Sequence, residues 1–167
     1  MLLGLAYSLA MRVAEMLLSR RNAGRTLARG GRVVESDGFG ALALVHGGWF
    51  VSMVAEEIAL GTTALPPALC TAALGLFVLS ELTRFWCIAT LGDRWNVRVI
   101  VLPDEPRVRR GPYRFLSHPN YLTAAVGLVS LPIALGLPWT AAIFLPLKWL
   151  AVRRRIRIEE PALAAGV

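Results

Sequence analysis

The run from Pro119 to Leu147 carries no charged side chain and is too long for a single membrane crossing. As one continuous helix it would measure about 43 Å at ~1.5 Å per residue, against a hydrocarbon core of roughly 30 Å. Pro132, Gly136 and Pro138 sit near its middle. A proline inside a helix removes a backbone donor and crowds the preceding turn. The run is therefore expected as a helical hairpin: Asn120 to Leu135, a turn at Gly136-Leu137-Pro138, then Trp139 to Val152. The placement of charge agrees. Arg20, Arg21, Arg25, Arg29 and Arg32 form one basic segment, and Arg94, Arg98, Arg107, Arg109, Arg110 and Arg114 a second. Lys148, Arg153, Arg154, Arg155 and Arg157 form a third. A hairpin puts all three on one side of a bilayer. A single long helix would strand the last of them outside and break the cytoplasmic excess of Lys and Arg.

Three further apolar segments precede the hairpin. Residues 1–19 form the first, interrupted by Arg12 and Glu15, which share a helix face three positions apart. With the positive charge following it, this segment reads as a retained helix with its N-terminus outside. Residues 20–38 read as a basic, glycine-punctuated loop. The second span is expected at 39–61, with His46 on one face with Met53 and Glu57. A histidine at that depth is either a functional group or a packing hydrogen bond beside Gly47 and Gly48. The third span is expected at 68–91, where Glu81 and Arg84 are spaced to neutralise one another. Phe85, Trp86 and Trp95 suit an interfacial aromatic belt. Val97 to Leu102 reads as a short extended stretch, after which Pro103, Pro106 and Pro112 prevent a long helix. The expected fold is thus an all-α integral membrane protein of about five transmembrane helices, the last two a hairpin, with a polar cytoplasmic loop and a C-terminal helix. The 167 residues form one domain, with 1–92 holding three helices and 93–167 the loop, hairpin and basic tail.

Composition excludes other classes. Charged residues make up 17% of the chain and mean hydropathy is +0.56, whereas soluble domains carry roughly 25% charged residues. The net charge of +7 lies beside apolar blocks. That arrangement suits an anionic lipid surface, and no basic aromatic face of the kind that reads nucleic acid is present. Cys70 and Cys87 lie in one apolar block without metal-ligand spacing to a histidine, and read as small buried hydrophobes.

The densest polar cluster is Arg109-Arg110-Gly111-Pro112-Tyr113-Arg114-Phe115-Leu116-Ser117-His118-Pro119-Asn120-Tyr121, where water-facing chain meets the hairpin. Tyr113, His118 and Asn120 are side chains that hold a polar ligand. Gly111-Pro112-Tyr113 followed by His118-Pro119-Asn120-Tyr121, the broken apolar hairpin, and Arg155-x-x-x-Glu159-Glu160-x-x-Leu163 together resemble the isoprenylcysteine carboxyl methyltransferase superfamily. Arg20-Arg21-Asn22, Arg29-Gly30-Gly31, Arg84-Phe85-Trp86 and Leu91-Gly92-Asp93-Arg94-Trp95 extend the resemblance. With Val99-Ile100-Val101-Leu102-Pro103, they are similar to the bacterial branch that O-methylates alkylresorcinols and alkylpyrones.

The resemblance implies a membrane methyltransferase using S-adenosylmethionine, in the bacterial inner or cell membrane with its cofactor site on the cytoplasmic face. It implies cofactor contacts from Glu105, Pro106, Arg107, Val108, Tyr113, His118, Pro119, Asn120 and Tyr121. Arg155 and Glu159 would border the lipid acceptor as the candidate catalytic pair, and no metal is implied. Three positions depart from the family pattern: Ser117 stands where arginine is usual, Glu105 where many members have histidine, and Gly127 where the branch often has glutamate. Methyl transfer from a sulfonium needs alignment and exclusion of water more than a strong base, and His118 and Glu159 are both placed to assist. The expected partners are a lipophilic acceptor and the bilayer. Other acceptors in the same class are a prenylated cysteine carboxylate and a phospholipid amine. A different class is a non-catalytic membrane scaffold or small transporter subunit. Against a transporter, no repeated pair of broken helices carries midplane charges.

Overall fold

A computed structural model describes residues 2–35, 37–103 and 105–165; Met1, Ser36, Asp104 and residues 166–167 lie outside the described residues. Five helices carry the fold: α1 Leu2–Ala28, α2 Phe39–Leu60, α3 Pro67–Leu91, α4 Pro119–Ala134 and α5 Pro138–Ala165. The strands β1 Arg32–Val33 and β2 Ile100–Val101 pair antiparallel in a two-stranded ribbon. Short 3-10 turns occupy Gly92–Arg94 and Gly111–Arg114. The chain is an all-α membrane protein. The stretches Leu2–Ala28, Phe39–Leu60 and Pro67–Arg94 are each long and apolar enough to cross a membrane.

The helices turn their grease outward. Leu3, Leu44 and Ile58 are among the most exposed apolar side chains, while α1 buries Ser8, Glu15, Ser19, Asn22 and Thr26. In lipid there is no hydrophobic penalty for outward leucines, so small and polar residues take the helix interfaces. The core between α2, α3, α4 and α5 is Trp49, Met53, Phe77, Leu128, Leu131, Leu137 and Phe144. One contact there answers a defect: Pro132 has no N–H to give the Leu128 carbonyl, and the Trp49 indole donates to it instead at 2.8 Å.

The hairpin is observed, with α4 ending at Ala134 and α5 starting at Pro138. Gly136 makes the turn at φ +74°, and its carbonyl accepts the Thr63 N–H at 2.8 Å. A Cβ on Gly136 would lie 2.8 Å from the Thr63 carbonyl oxygen. Glu56 of α2 caps the second arm, accepting the N–H groups of Trp139 (3.0 Å) and Thr140 (2.7 Å). Both uncharged turns therefore meet at one end of the bundle. At the other, the basic segments converge: Arg29 pairs with Glu105, Arg98 with Asp37, and Arg155 with both Asp37 and Val97.

Several expectations are corrected. The first helix does not stop at residue 19 but continues through Arg20, Arg21 and Arg25 to Ala28. Its last turns are held because Asn22 and Thr26 bind the backbone of residues 92–95. Glu81 and Arg84 do not pair with each other. Arg84 grips Glu15 of α1 with two hydrogen bonds of 2.5 and 2.7 Å, and Arg12 reaches Glu15 at 2.8 Å and Glu81 at 3.6 Å. Pairing across helices spares each charge an isolated place in the low-dielectric interior. Trp95 is 2% exposed and belongs to no interfacial belt, although Phe85 and Trp86 are exposed. Lys148 is likewise 2% exposed, facing inward. The C-terminal helix is the continuation of α5.

Candidate functional site

The polar end is assembled from backbone outward. Residues 92–99 leave α3 as irregular chain whose amides need partners. The buried face of α1 supplies them: Asn22 donates to the carbonyls of Gly92 and Trp95, and Ser19 accepts the Val97 N–H at 2.9 Å. Asp37 accepts the Val99 N–H at 3.0 Å and the Arg98 guanidinium at 2.7 Å. Burial alone would raise the Asp37 carboxyl, but the Arg98 bond and the Val99 and Phe39 amides hold it below its ordinary value. The Gly111–Arg114 turn packs directly on α3: a Cβ at Gly111, where φ is +55°, would lie 2.5 Å from Thr90 Oγ1. That contact seats Tyr113 beside Cys87. Burial, then the Cys87 thiol and the Glu159 carboxylate, push the Tyr113 phenol up, so it stays a neutral donor at physiological pH.

The C-terminal half of α5 closes over this loop. Arg155, 2% exposed, donates through Nε to the Tyr121 hydroxyl at 2.8 Å and through Nη1 and Nη2 to the carbonyls of Asp37 (3.1 Å) and Val97 (2.5 Å). The Tyr121 hydroxyl donates in turn to Glu159 Oε2 at 2.5 Å. Arg155 and Glu159 are thus joined through tyrosine rather than forming a surface ion pair. Glu160, the next residue, binds His118 Nε2 at 2.6 Å and the Arg107 guanidinium at 2.9 and 3.2 Å. Arg107 and then His118 lower the Glu160 carboxyl below its ordinary value. The His118 and Tyr121 rings stack at 5.5 Å.

These groups line a cavity of about 770 Å³. Of the residues the sequence singled out, Glu105, Arg107, Val108, Tyr113, His118, Asn120, Tyr121, Arg155 and Glu159 line it together. Pro106 and Pro119 do not. The Pro106 carbonyl accepts Arg94 at 2.9 Å, and Pro119 is buried as the first residue of α4. Glu105 is held by Arg29 and Arg94, so its carboxylate is neutralised where the family pattern has an imidazole. Ser117 is exposed at the rim. Gly127 faces α3: a Cβ there would lie 3.1 Å from Ser80 Oγ and 3.8 Å from Glu81 Oε1. Any side chain at 127 would be tight against Ser80, and α3 brings its own carboxylate, Glu81, beside that place.

Sequence reasoning missed Asp37, Glu160 and Lys148; it singled out His46, Arg12, Glu15 and Arg84 separately but did not foresee that they gather in one inner cluster. Glu160 stood in the quoted motif, and its doublet with Glu159 was the available signal. Asp37 carried none, since its role depends on Arg98 and Arg155 being folded against it. His46 Nδ1 lies 2.7 Å from its own helix's Leu42 carbonyl, and Nε2 lies 3.3 Å from Lys148 Nζ. His46 thus makes a polar contact between α2 and α5, two residues from Gly48, against which Phe144 of α5 sits.

The donor set suits a polar cofactor. Trp95 Nε1, Asn96 Oδ1 and Asn120 Oδ1 are buried without partners, and all three residues line the cavity. Orphaned buried polar atoms of this kind are rare in native structures and mark a place for a ligand. Among the described residues no group of three or more His, Cys, Asp or Glu is placed to hold a metal ion.

Comparison with known proteins adds three findings. The family model described as the isoprenylcysteine carboxyl methyltransferase (ICMT) family matches residues 73–165. The chain is 27% identical over 159 residues to the uncharacterized protein YpbQ of Bacillus subtilis (strain 168), covering 95% of this chain and 94% of that one. It is 24% identical over 157 residues to an uncharacterized protein of Haemophilus influenzae, covering 93% and 90% respectively. No solved structure matches.

Proposed function

The chain belongs to the isoprenylcysteine carboxyl methyltransferase family, and we propose that within it the protein is an S-adenosylmethionine-dependent O-methyltransferase acting on a lipophilic phenolic or pyrone acceptor. The observation that carries this reading is the continuity of the 770 Å³ cavity. It joins the polar residues of the 105–121 loop to the membrane-embedded faces of α1, α2, α3 and α5. A water-soluble cofactor can reach it from the basic end and a lipid from between the helices. By the positive-inside bias, the basic end is the cytoplasmic one, and five helices cross the bilayer.

Bound there, S-adenosylmethionine would supply an electrophilic methyl group. Tyr113, His118, Asn120, Asn96 and the Trp95 indole are the groups to hold it, with Glu105, Arg107 and Val108 along its edge. Helix α4 begins at Pro119, so its positive dipole end favours a carboxylate at His118–Tyr121. His118 Nε2 is committed to Glu160, which orients the ring, and of the carboxylates that line the cavity Glu15 and Glu105 are paired with arginines, which leaves Glu159. Glu159 takes the proton of an acceptor hydroxyl, and Arg155 with Tyr121 fixes its position. The covering loop and α5 exclude water, which an in-line displacement requires.

The test is transfer of radiolabelled methyl to 5-dodecylresorcinol by purified protein in lipid vesicles. An alkali-stable methyl ether is expected, and Glu159→Gln should lower kcat by about 10²–10⁴-fold, the range of general-base catalysis. Alkali-labile product on a farnesylated cysteine would assign the carboxyl acceptor instead. No transfer to any lipid acceptor would overturn the reading.

A further inference from the structure

The cavity has a second, inner end that the methyl-transfer chemistry above does not use. His46 lies seven residues inside α2 from Phe39, and Lys148 seven residues before Arg155 on α5. Both are about 10 Å deeper than the loop at ~1.5 Å per residue. Arg84 lies one turn below Cys87, the neighbour of Tyr113. All three line the cavity, as do Arg12 and Glu15. Lys148 and Arg155 fall on one face of α5, because seven residues make nearly two whole turns.

The charges at this inner end do not cancel. Arg12, Arg84 and Lys148 stand against Glu15 and Glu81, leaving one positive charge. Glu15 is fully used by Arg84 and Arg12. The one hydrogen-bond partner of Lys148 Nζ among the described residues is His46 Nε2. His46 Nδ1 carries the hydrogen it donates to the Leu42 carbonyl, so Nε2 offers Lys148 a lone pair and no charge. Arg84, 7% exposed, keeps Nη1 buried without a partner. A lysine and a guanidinium N–H left uncompensated at membrane depth are unfavourable unless something answers them. Both residues line the cavity.

We propose that the inner end is an oxyanion subsite, in which Lys148 Nζ and Arg84 Nη1 bind an acidic oxygen on the head of the lipid acceptor. Glu15, itself held by Arg12, fixes the Arg84 guanidinium through Nε and Nη2 and leaves Nη1 without a partner, and His46 holds the Lys148 ammonium. An acceptor bearing two acidic oxygens, or one oxygen and a charged tail-proximal group, would be held at both ends of the cavity. Naming the ligand as the methyl acceptor rests on the methyltransferase reading. The subsite itself rests on the uncompensated cations.

The experiment compares two amphiphiles of equal chain length, dodecanoate and 1-dodecanol, binding to the full chain in maltoside micelles. S-adenosylhomocysteine binding is measured in parallel. Wild type should bind dodecanoate at least tenfold tighter than dodecanol. Lys148→Met should reduce that preference about tenfold and leave S-adenosylhomocysteine binding unchanged. Arg84→Lys keeps a cation for Glu15 while removing the free guanidinium nitrogen, and should also reduce the preference. Arg154→Met removes the same charge from the exposed face of α5 and should leave it intact. An unchanged preference in Lys148→Met, or an equal loss in Arg154→Met, overturns the subsite. Retained preference in a protein that binds no S-adenosylhomocysteine supports the subsite and overturns the assignment of its ligand as a methyl acceptor.

Discussion

Single side chains here serve by linking segments that are remote in sequence. Tyr121 is the clearest, since its hydroxyl lies between the Arg155 guanidinium and the Glu159 carboxylate. Glu160 does the same for Arg107 and His118, and Asp37 for Arg98 and the Val99 amide. Both carboxyls are held below their ordinary values, so each contributes stability that is fully present above the unfolded carboxylate pKa and is lost as pH falls through the lower folded value. Thermal melts taken downward from pH 7 should therefore hold their midpoint until below about pH 4.5, the ordinary value for Glu160, and then fall. Glu160→Gln should remove part of that acid-dependent fall, and a melt profile identical to wild type would contradict its role. The resemblance motifs made His118, Tyr121, Arg155 and Glu159 legible in the sequence. Asp37 and Lys148 were not, because a charge reads as a surface or loop residue until the fold shows what it faces.

At the scale of elements, hydrophobic run length and its breakers located the helices closely. The ends of α2 and α3 and the hairpin turn fall within a residue or two of expectation. The error lay in α1, whose last turns look like a basic loop. Asn22 and Thr26 become helical because their side chains are needed to bind residues 92–95, and no local pattern encodes that partner. The strand β1 was likewise invisible, being stabilised only by pairing with β2. The hairpin depends on Gly136 and Glu56. Gly136→Ala puts a Cβ against the Thr63 carbonyl at a positive φ, at a cost of about 1–2 kcal/mol for the left-handed backbone alone. Glu56→Ala leaves the Trp139 and Thr140 amides unpaired, costing about 1–3 kcal/mol. Both should lower the melting midpoint in detergent, and a Glu56→Ala melt matching wild type would show that water substitutes for the cap.

The whole molecule is a bundle with one plain end and one chemical end. Uncharged turns at 62–66 and 135–137 touch at the first, and the ribbon, the loop 92–118 and the end of α5 meet at the second. This division predicts an accessibility pattern. In a background lacking Cys70 and Cys87, single cysteines at Thr62 and at Arg110 should react with an impermeant maleimide from opposite sides of intact vesicles. Reaction from the same side would break the assigned topology. The bundle also explains why so little of the site is local in sequence: α1, α2, α3, α5 and the 94–102 stretch all contribute lining residues beside the 105–121 loop.

A methyltransferase site requires that this loop and α5 together hold the cofactor, and calorimetric titration of S-adenosylhomocysteine into detergent-purified protein tests this directly. Wild type should bind with one-to-one stoichiometry. Tyr121→Phe, which strands the Arg155 donor, should weaken binding roughly tenfold, the equivalent of about 1.4 kcal/mol, and His118→Ala should weaken it at least as much. No measurable heat from correctly folded wild-type protein, or equal affinity in all three, would contradict the assignment of this cavity as a methyltransferase site.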